Sequence, residues 1–371
     1  MTNLQGRIVL RDRVVTGNIS FGEIISDIEA GNLSNKDPQY YILPGFVDGH
    51  VHGGDGADTM DGAEAIERLS RFHMHHGTTT ILPTTITRPW KEILDSLRAV
   101  KEVRQKGLAD LPDIRGAHLE GPFISSKKLG AQPPFNIMPK AEVLQEMIDL
   151  DIVRVITIAP EVEYIEQAVP LLTKAGIRVS LGHTACSYSQ AQHALQITHT
   201  HHGVVGGTHL FNAMGGIEGR APGLAGAILD DDKAYAEMIF DTHHVHPVNF
   251  RLAHRQKPDH LLFVTDAMRG AGMPEGESEL GGQKVIIKNG CVMGMNGHLA
   301  GSVLTLDQAF RNALVHGATL PEATRLVSTN AAQYQGLTDR GEIALGKRAD
   351  FVVMNANMQV EQVWIAGKRR V

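Results

Sequence analysis

Three observations predict an α/β fold, a (β/α)8 TIM barrel with a small β-sandwich domain formed by both chain termini. Eight apolar, β-branched runs recur about every 30–40 residues, with helix-period segments between them. Residues able to do chemistry gather at one end of those runs, and both chain ends read as short β segments. Continuous apolar runs alternating with helices indicate a parallel sheet covered on both faces. Eight such units suit a closed barrel, whose working residues lie at the carboxyl ends of its strands.

The 371 residues allow one large domain and a smaller one. The first forty or so read as short strands at 6–10, 13–16 and 23–29, with Gly and Asn turns between them. The last thirty-five look alike, with strands at 341–345, 351–354 and 362–367. Neither end has enough apolar residues for a core of its own. Both are therefore assigned to one domain, residues 1–43 with 340–371, and residues 44–339 to the barrel. The eight barrel runs are 42–52, 78–85, 114–121, 153–159, 177–183, 203–214, 235–244 and 260–268. Amphipathic helices at 305–316 and 321–335 would close the barrel.

Composition excludes several classes. Hydrophobic content of 42% and charged content of 20% are ordinary for a globular chain. A net charge of -6 offers no basic surface to nucleic acid or anionic lipid, so an anionic substrate needs a local cationic pocket. The two cysteines, Cys186 and Cys291, form no CxxC pair, which argues against a disulfide framework or a thiolate zinc site and fits a reducing cytoplasm. The start of the chain lacks the charged-then-apolar form of a signal peptide, and no run approaches the ~18 residues of a membrane span. Among the 19 histidines, His73, His75, His76, His199, His201 and His202 are expected in solvent.

The remaining histidines sit where a barrel would use them. His50 and His52 are spaced i, i+2 at the end of the first run, so their side chains share a face. Glu120 ends the third run, His183 the fifth, His209 the sixth, His244 the seventh and Asp266 the eighth. A single strand-end histidine is more often structural than a ligand. His118, two residues before Glu120 and on the same side of the strand, is expected to support rather than bind. The set as a whole is different, because each member must fall at the same end of a separate strand. Imidazoles and carboxylates without sulfur suit Zn2+ or Fe2+, one or two ions per subunit, at a site with an open coordination position. Such an ion lowers the pKa of bound water to ~7 and polarises a carbonyl, and a nearby Asp can shuttle the proton.

The segments Pro44-Gly45-Phe46-Val47-Asp48, His118-Leu119-Glu120-Gly121-Pro122, Gly182-His183, Thr208-His209-Leu210-Phe211-Asn212-Ala213-Met214, Arg220-Ala221-Pro222-Gly223 and Val264-Thr265-Asp266-Ala267 resemble the amidohydrolase superfamily. Within it they are similar to the N-acetylglucosamine-6-phosphate deacetylases, over nearly the whole chain. The resemblance implies that Glu120, His183 and His209 hold the main metal and that Asp266 is the catalytic acid–base. It implies sugar-phosphate contacts from Ala131, Gln132, Asn212, Ala213, Arg220, His244, Leu299, Ala300 and Gly301. It also implies a homodimer, with Arg220 serving the neighbour's site as a bidentate phosphate ligand.

Two departures matter. Single-metal members lack the paired histidines of the first strand and carry a His where this chain has Gln132, so His50 and His52 suggest a second ion that polarises the carbonyl instead. Thr242 stands where a Gly is usual. No Lys follows the fourth run to bridge two ions, which leaves Glu120 as the substitute. No HxxE follows His183, which argues against deamination. The expected reaction is hydrolytic deacetylation of N-acetyl-D-glucosamine 6-phosphate in amino-sugar catabolism. Its N-acetyl-D-galactosamine epimer is the nearest alternative. A cyclic amidase, a deaminase or an inactive metal-binding scaffold stand further off.

Overall fold

The structure is a computed structural model that describes residues 2–31, 40–295 and 297–371. Its centre is a parallel barrel of eight strands: β1 (Phe46–Val51), β2 (Thr78–Thr85), β3 (Ala117–Glu120), β4 (Val153–Ile158), β5 (Arg178–Leu181), β6 (Val205–Gly207), β7 (Tyr235–Met238) and β8 (Leu261–Phe263). Each pairs with the next in sequence order. β2 shows why the runs are continuous rather than alternating, since all eight of its residues are buried. One face meets the barrel interior and the other the helices outside.

No ladder joins β8 to β1 among the described residues, and the seam is closed by residues next to the site. The Asp266 amide donates to the His50 carbonyl at 2.8 Å, and the Thr265 hydroxyl donates to Asp48 Oδ2 at 2.7 Å. Burial lifts the Asp48 carboxyl to about 6, against the pull of its Thr265 and His50 hydrogen bonds. The same contacts that close the barrel set Asp266 beside the first-strand histidines.

Helices cover the outside by their apolar stripes. In Ala63–His75 the buried residues are Ile66, Leu69, Ser70, His73 and Met74, the spacing of one helical face. His73 is thus wholly buried, with Nε2 at 2.9 Å from the Gly53 carbonyl, and not in solvent as its polar neighbours suggest. The helix Tyr188–Thr200 starts on a capping box between Ser187 and Gln190.

Both termini build a separate seven-stranded sheet whose cluster includes Ile8, Ile19, Phe21, Ile42 and Phe351. Its inner residues Val9, Leu43, Val352 and Met354 belong to the barrel's own core, and buried Arg340 reaches across to Thr80 and Asp113 of the barrel. Residues 341–345 form no strand: Ile343 packs into that cluster from an irregular turn. Met1 and residues 32–39 of the expected small domain lie outside the described residues. A three-stranded sheet (Gly276–Leu280, Gln283–Lys288, Cys291–Gly294) follows β8, and the loop 297–301 leads from it back to the barrel mouth. No helix among the described residues is long and apolar enough to cross a membrane.

Candidate active site

Six of the expected residues converge at the carboxyl end of the barrel. Glu120, from β3, lies at their centre. Its Oε1 is 3.1 Å from His183 Nε2, 3.0 Å from His209 Nε2 and 3.4 Å from His50 Nε2, and its Oε2 is 3.1 Å from His52 Nε2. Asp266 Oδ1 lies 3.1 Å from His52 Nε2 and 3.5 Å from His50 Nε2. All are buried. His183, His209 and Asp266 sit just beyond their strands with φ of 46°, 34° and 47°. Left-handed backbone in such residues costs of order 1–3 kcal/mol and concentrates at functional sites.

The rings are held from behind. His52 Nδ1 donates to the Thr84 carbonyl (3.2 Å) and His183 Nδ1 to the Lys128 carbonyl (2.9 Å). His50 Nδ1 lies 3.2 Å from Glu237 Oε2. Each of these three rings therefore turns its Nε2 lone pair toward Glu120. Among the described residues His209 Nδ1 has no hydrogen-bond partner. His118 spends both nitrogens elsewhere, on the Gly49 carbonyl (3.1 Å) and the Thr157 hydroxyl (2.8 Å), so it supports the floor and has no free donor.

This donor set fits a divalent metal ion. Two groups of three ligand atoms share Glu120, one with His50 and His52 and one with His183 and His209. Within them His183 and His209 bring their Nε2 atoms to 3.1 Å, and His50 and His52 to 3.3 Å. Lone pairs that close repel unless a cation lies between them. A tetrahedral ion with nitrogen ligands at 2.0–2.1 Å sets two of them about 3.3 Å apart.

Without a metal the same atoms compete for protons. Burial disfavours charge on His52, but the hydrogen bonds it donates to Asp266 and Glu120 outweigh it and raise this ring to about 9. His50 is likewise raised against burial, by the charges of Glu120 and Asp266. At pH 7 the metal-free site therefore holds a proton on His52 that an incoming ion must displace, and the apparent metal affinity should climb as pH rises toward 9. Zinc titration of metal-depleted protein in buffers of different ionisation heat should show net proton release at pH 7 that fades above pH 9. Buffer-independent heats at pH 7 would mean that His52 is neutral without metal.

A cavity of about 300 Å³ opens above the ring, lined by Ala131, Gln132, Asn212, Ala213, His244, Leu299 and Gly301 besides His52, Glu120, His183, His209 and Asp266. His50 lies below as floor. Ala300 is buried behind the loop and lines a neighbouring pocket. Gln132 is committed at both ends: its amide donates to Glu120 Oε2 and its carbonyl accepts from the Thr87 amide at 2.6 Å. His244 is fixed by Asp241 Oδ2 at 2.7 Å, which raises it against burial and favours its cationic form. Arg220 is exposed and does not line this cavity. Lys127, Lys128 and His298 do, and sequence reasoning missed all three. Lys127 and Lys128 lie only four or five residues before Gln132, a signal that was available. A slightly larger cleft, about 340 Å³ and lined by Asp58, Arg88, Glu92 and Arg269, shares only Ile86 with the cavity and none of the ligand ring. Donor geometry, not volume, selects the site.

A closed barrel with such a ring at its mouth is the equipment of a hydrolase that activates water on a bound cation. The model of the amidohydrolase family matches residues 41–370, and the chain belongs to that family. It is 37% identical over 337 residues to N-acetylglucosamine-6-phosphate deacetylase of Lysinibacillus sphaericus, covering 89% of this chain and 86% of that protein. It is 36% identical over 343 residues to N-acetylgalactosamine-6-phosphate deacetylase of Escherichia coli O157:H7, covering 91% and 89%. Among solved structures, a mutant N-acetyl-D-glucosamine-6-phosphate deacetylase from Mycobacterium smegmatis in complex with N-acetyl-D-glucosamine-6-phosphate superposes with a TM-score of 0.92, at 30% identity over 100% of this chain and 99% of that one.

Proposed function

We propose that this chain is a metal-dependent deacetylase that converts N-acetyl-D-glucosamine 6-phosphate to D-glucosamine 6-phosphate and acetate. The observation that carries this reading is the ring of four Nε2 atoms about Glu120 with Asp266 at its edge, in a chain whose relatives bear this activity. Glu120, His183 and His209 would hold one zinc or ferrous ion and Glu120, His50 and His52 a second, and a bound ion would supply Lewis acidity to the water and the acetamide carbonyl. Asp266 takes the proton of the attacking water. It returns that proton to the amide nitrogen as the C–N bond breaks, so that amine and acetate part. Gln132 keeps Glu120 turned into the ring, and His244, oriented by Asp241, faces the sugar with its other ring nitrogen. Ala131, Asn212, Ala213 and the 299–301 loop shape the wall against which the ring of the sugar lies. The domain division at residues 43/44 and 339/340 is proposed with it.

The galacto epimer is a second reading because the relative acting on it is equally similar, 36% against 37%. Acetate release measured on both sugar phosphates decides. A higher kcat/KM for the gluco compound is expected, and the reverse order would reassign the substrate. No release from either, in a fully metallated protein, would sink the deacetylase reading.

We further propose a cytoplasmic homodimer. Both cysteines are free, as in a reducing compartment, and Ile217, Val248 and Leu252 leave apolar surface exposed. In the dimer Arg220 reaches the neighbour's substrate phosphate, while Lys127 and Lys128 approach it from within. A charge-assisted hydrogen bond is worth about 1.5–3 kcal/mol. Arg220→Ala should therefore raise KM for the 6-phosphate by ~10-fold or more and leave unphosphorylated N-acetylglucosamine nearly unaffected. The Lys127→Ala, Lys128→Ala double variant should behave alike. Equal losses on both substrates would make these residues structural.

A further inference from the structure

Glu237 is a carboxylate in the middle of β7, between Ala236 and Met238, and it is 1% exposed. A carboxylate that far from water is costly unless something holds it. Its side chain meets His50 Nδ1 at 3.2 Å, on the side of the ring away from Glu120. We infer that Glu237 is a positioning residue for the His50–His52 half of the centre: it turns His50 Nε2 toward Glu120 and Asp266 and so sets the affinity for a second divalent ion. The inference rests on the two-ion reading above.

Three observations carry it. First, the other two rings with a partner behind them lean on neutral backbone carbonyls, of Thr84 and Lys128, whereas His50 alone leans on a carboxylate. A carboxylate behind an imidazole fixes its tautomer and makes the far nitrogen a stronger donor. Second, no other neighbour among the described residues can do this. His118, whose ring centroid is 4.5 Å from that of His50, has both nitrogens engaged with Gly49 and Thr157. The cluster of His50, His118 and Glu237 is therefore a support and not a third place for a metal. Third, Glu237 adds a buried carboxylate to those of Glu120 and Asp266.

The test is zinc binding by the metal-depleted full chain, followed by competition with a chromophoric chelator, for the parent, Glu237→Leu and Glu237→Gln. Leu keeps the bulk and removes the acceptor; Gln keeps an acceptor and removes the charge. The parent should bind in two steps. In Glu237→Leu the weaker step should lose about 10–100-fold in affinity, the range for partners behind metal ligands, while the tighter step stays. Glu237→Gln should recover part of the loss. Two unchanged steps in Glu237→Leu, or equal weakening of both, would overturn the inference. Should Glu237→Leu not fold, Glu237→Gln decides: selective weakening of the second step supports the inference, and an unchanged pair overturns it. A parent that binds a single zinc would reject the two-ion reading. Glu237 would then be judged on that one step, upheld if it weakens in Glu237→Leu and recovers in Glu237→Gln, and overturned otherwise.

Discussion

Asp266→Asn is expected to cut kcat by a factor on the order of 10²–10⁴, the usual contribution of a placed acid–base group. KM should move much less, because the lost interaction belongs to the transition state. The substitution isolates the proton. Asn has the same size and keeps one oxygen for a metal, and it accepts the left-handed backbone, φ 47°, that position 266 adopts. The seam bond from the Asp266 amide to the His50 carbonyl does not involve the side chain. Burial pushes the Asp266 carboxyl up, but the His50 charge and the His52 hydrogen bond outweigh it and leave it below the usual carboxylate range. A depressed pKa keeps the basic form present down to lower pH, and activity is lost as pH falls through it. That acidic limb of the kcat–pH profile should vanish in the residual activity of the variant. Near-normal kcat in a fully metallated Asn protein would remove Asp266 from the mechanism.

The barrel was legible because its strands are buried on both faces, so they appear in the sequence as apolar, β-branched runs, six of the eight with a working residue at or near the end. His50, Glu120, His183, His209 and Asp266 were found by that position alone. Glu237 was not, because it lies inside a run and not at its end. Its signal was a charge in a segment whose every other feature calls for burial. The polar neighbours of His73 suggest solvent, although its spacing from Ile66 and Leu69 puts it on the buried face. The sheet at 276–294 escaped notice because its first strand is mostly exposed, with only Leu280 buried, so its alternation is faint. Arg220 was named from its matched segment, but a loop residue's reach cannot be read from spacing, and in its own chain it stands clear of the cavity. The cationic lining of Lys127 and Lys128 comes from the loop after β3 that carries Gln132 back to Glu120, and such a loop has no period to read beyond closeness to Gln132.

The largest effect on metal content is expected from Glu120→Gln. Glu120 is the one residue common to both ligand groups, and its two oxygens face four imidazoles at 3.0–3.4 Å. Burial works against its charge, yet the charges of His50 and His183 and the hydrogen bonds of His183 and His209 hold its carboxyl well below the usual range. Gln offers a single oxygen and no charge. Its amide nitrogen must face either an imidazole lone pair or the Gln132 amide, which donates to Glu120 in the parent. At most one half of the centre then keeps three ligands, and one of those is an uncharged amide oxygen. Bound zinc should fall from about two ions to below one, by the ligand count of a closed site. Loss of the several kcal/mol that a metal provides should lower kcat/KM by a factor on the order of 10³ or more. His50→Asn with His52→Asn is the informative contrast. It spares Glu120, His183 and His209, so bound metal should fall only from about two ions to about one. Elemental analysis of the three proteins, with circular dichroism to confirm folding, separates the cases. Parent-like metal and activity in Glu120→Gln would exclude a bridging role. A single ion in the parent, unchanged in the double variant, would leave the His50–His52 pair without a metal of its own and return carbonyl polarisation to the protein's own donors.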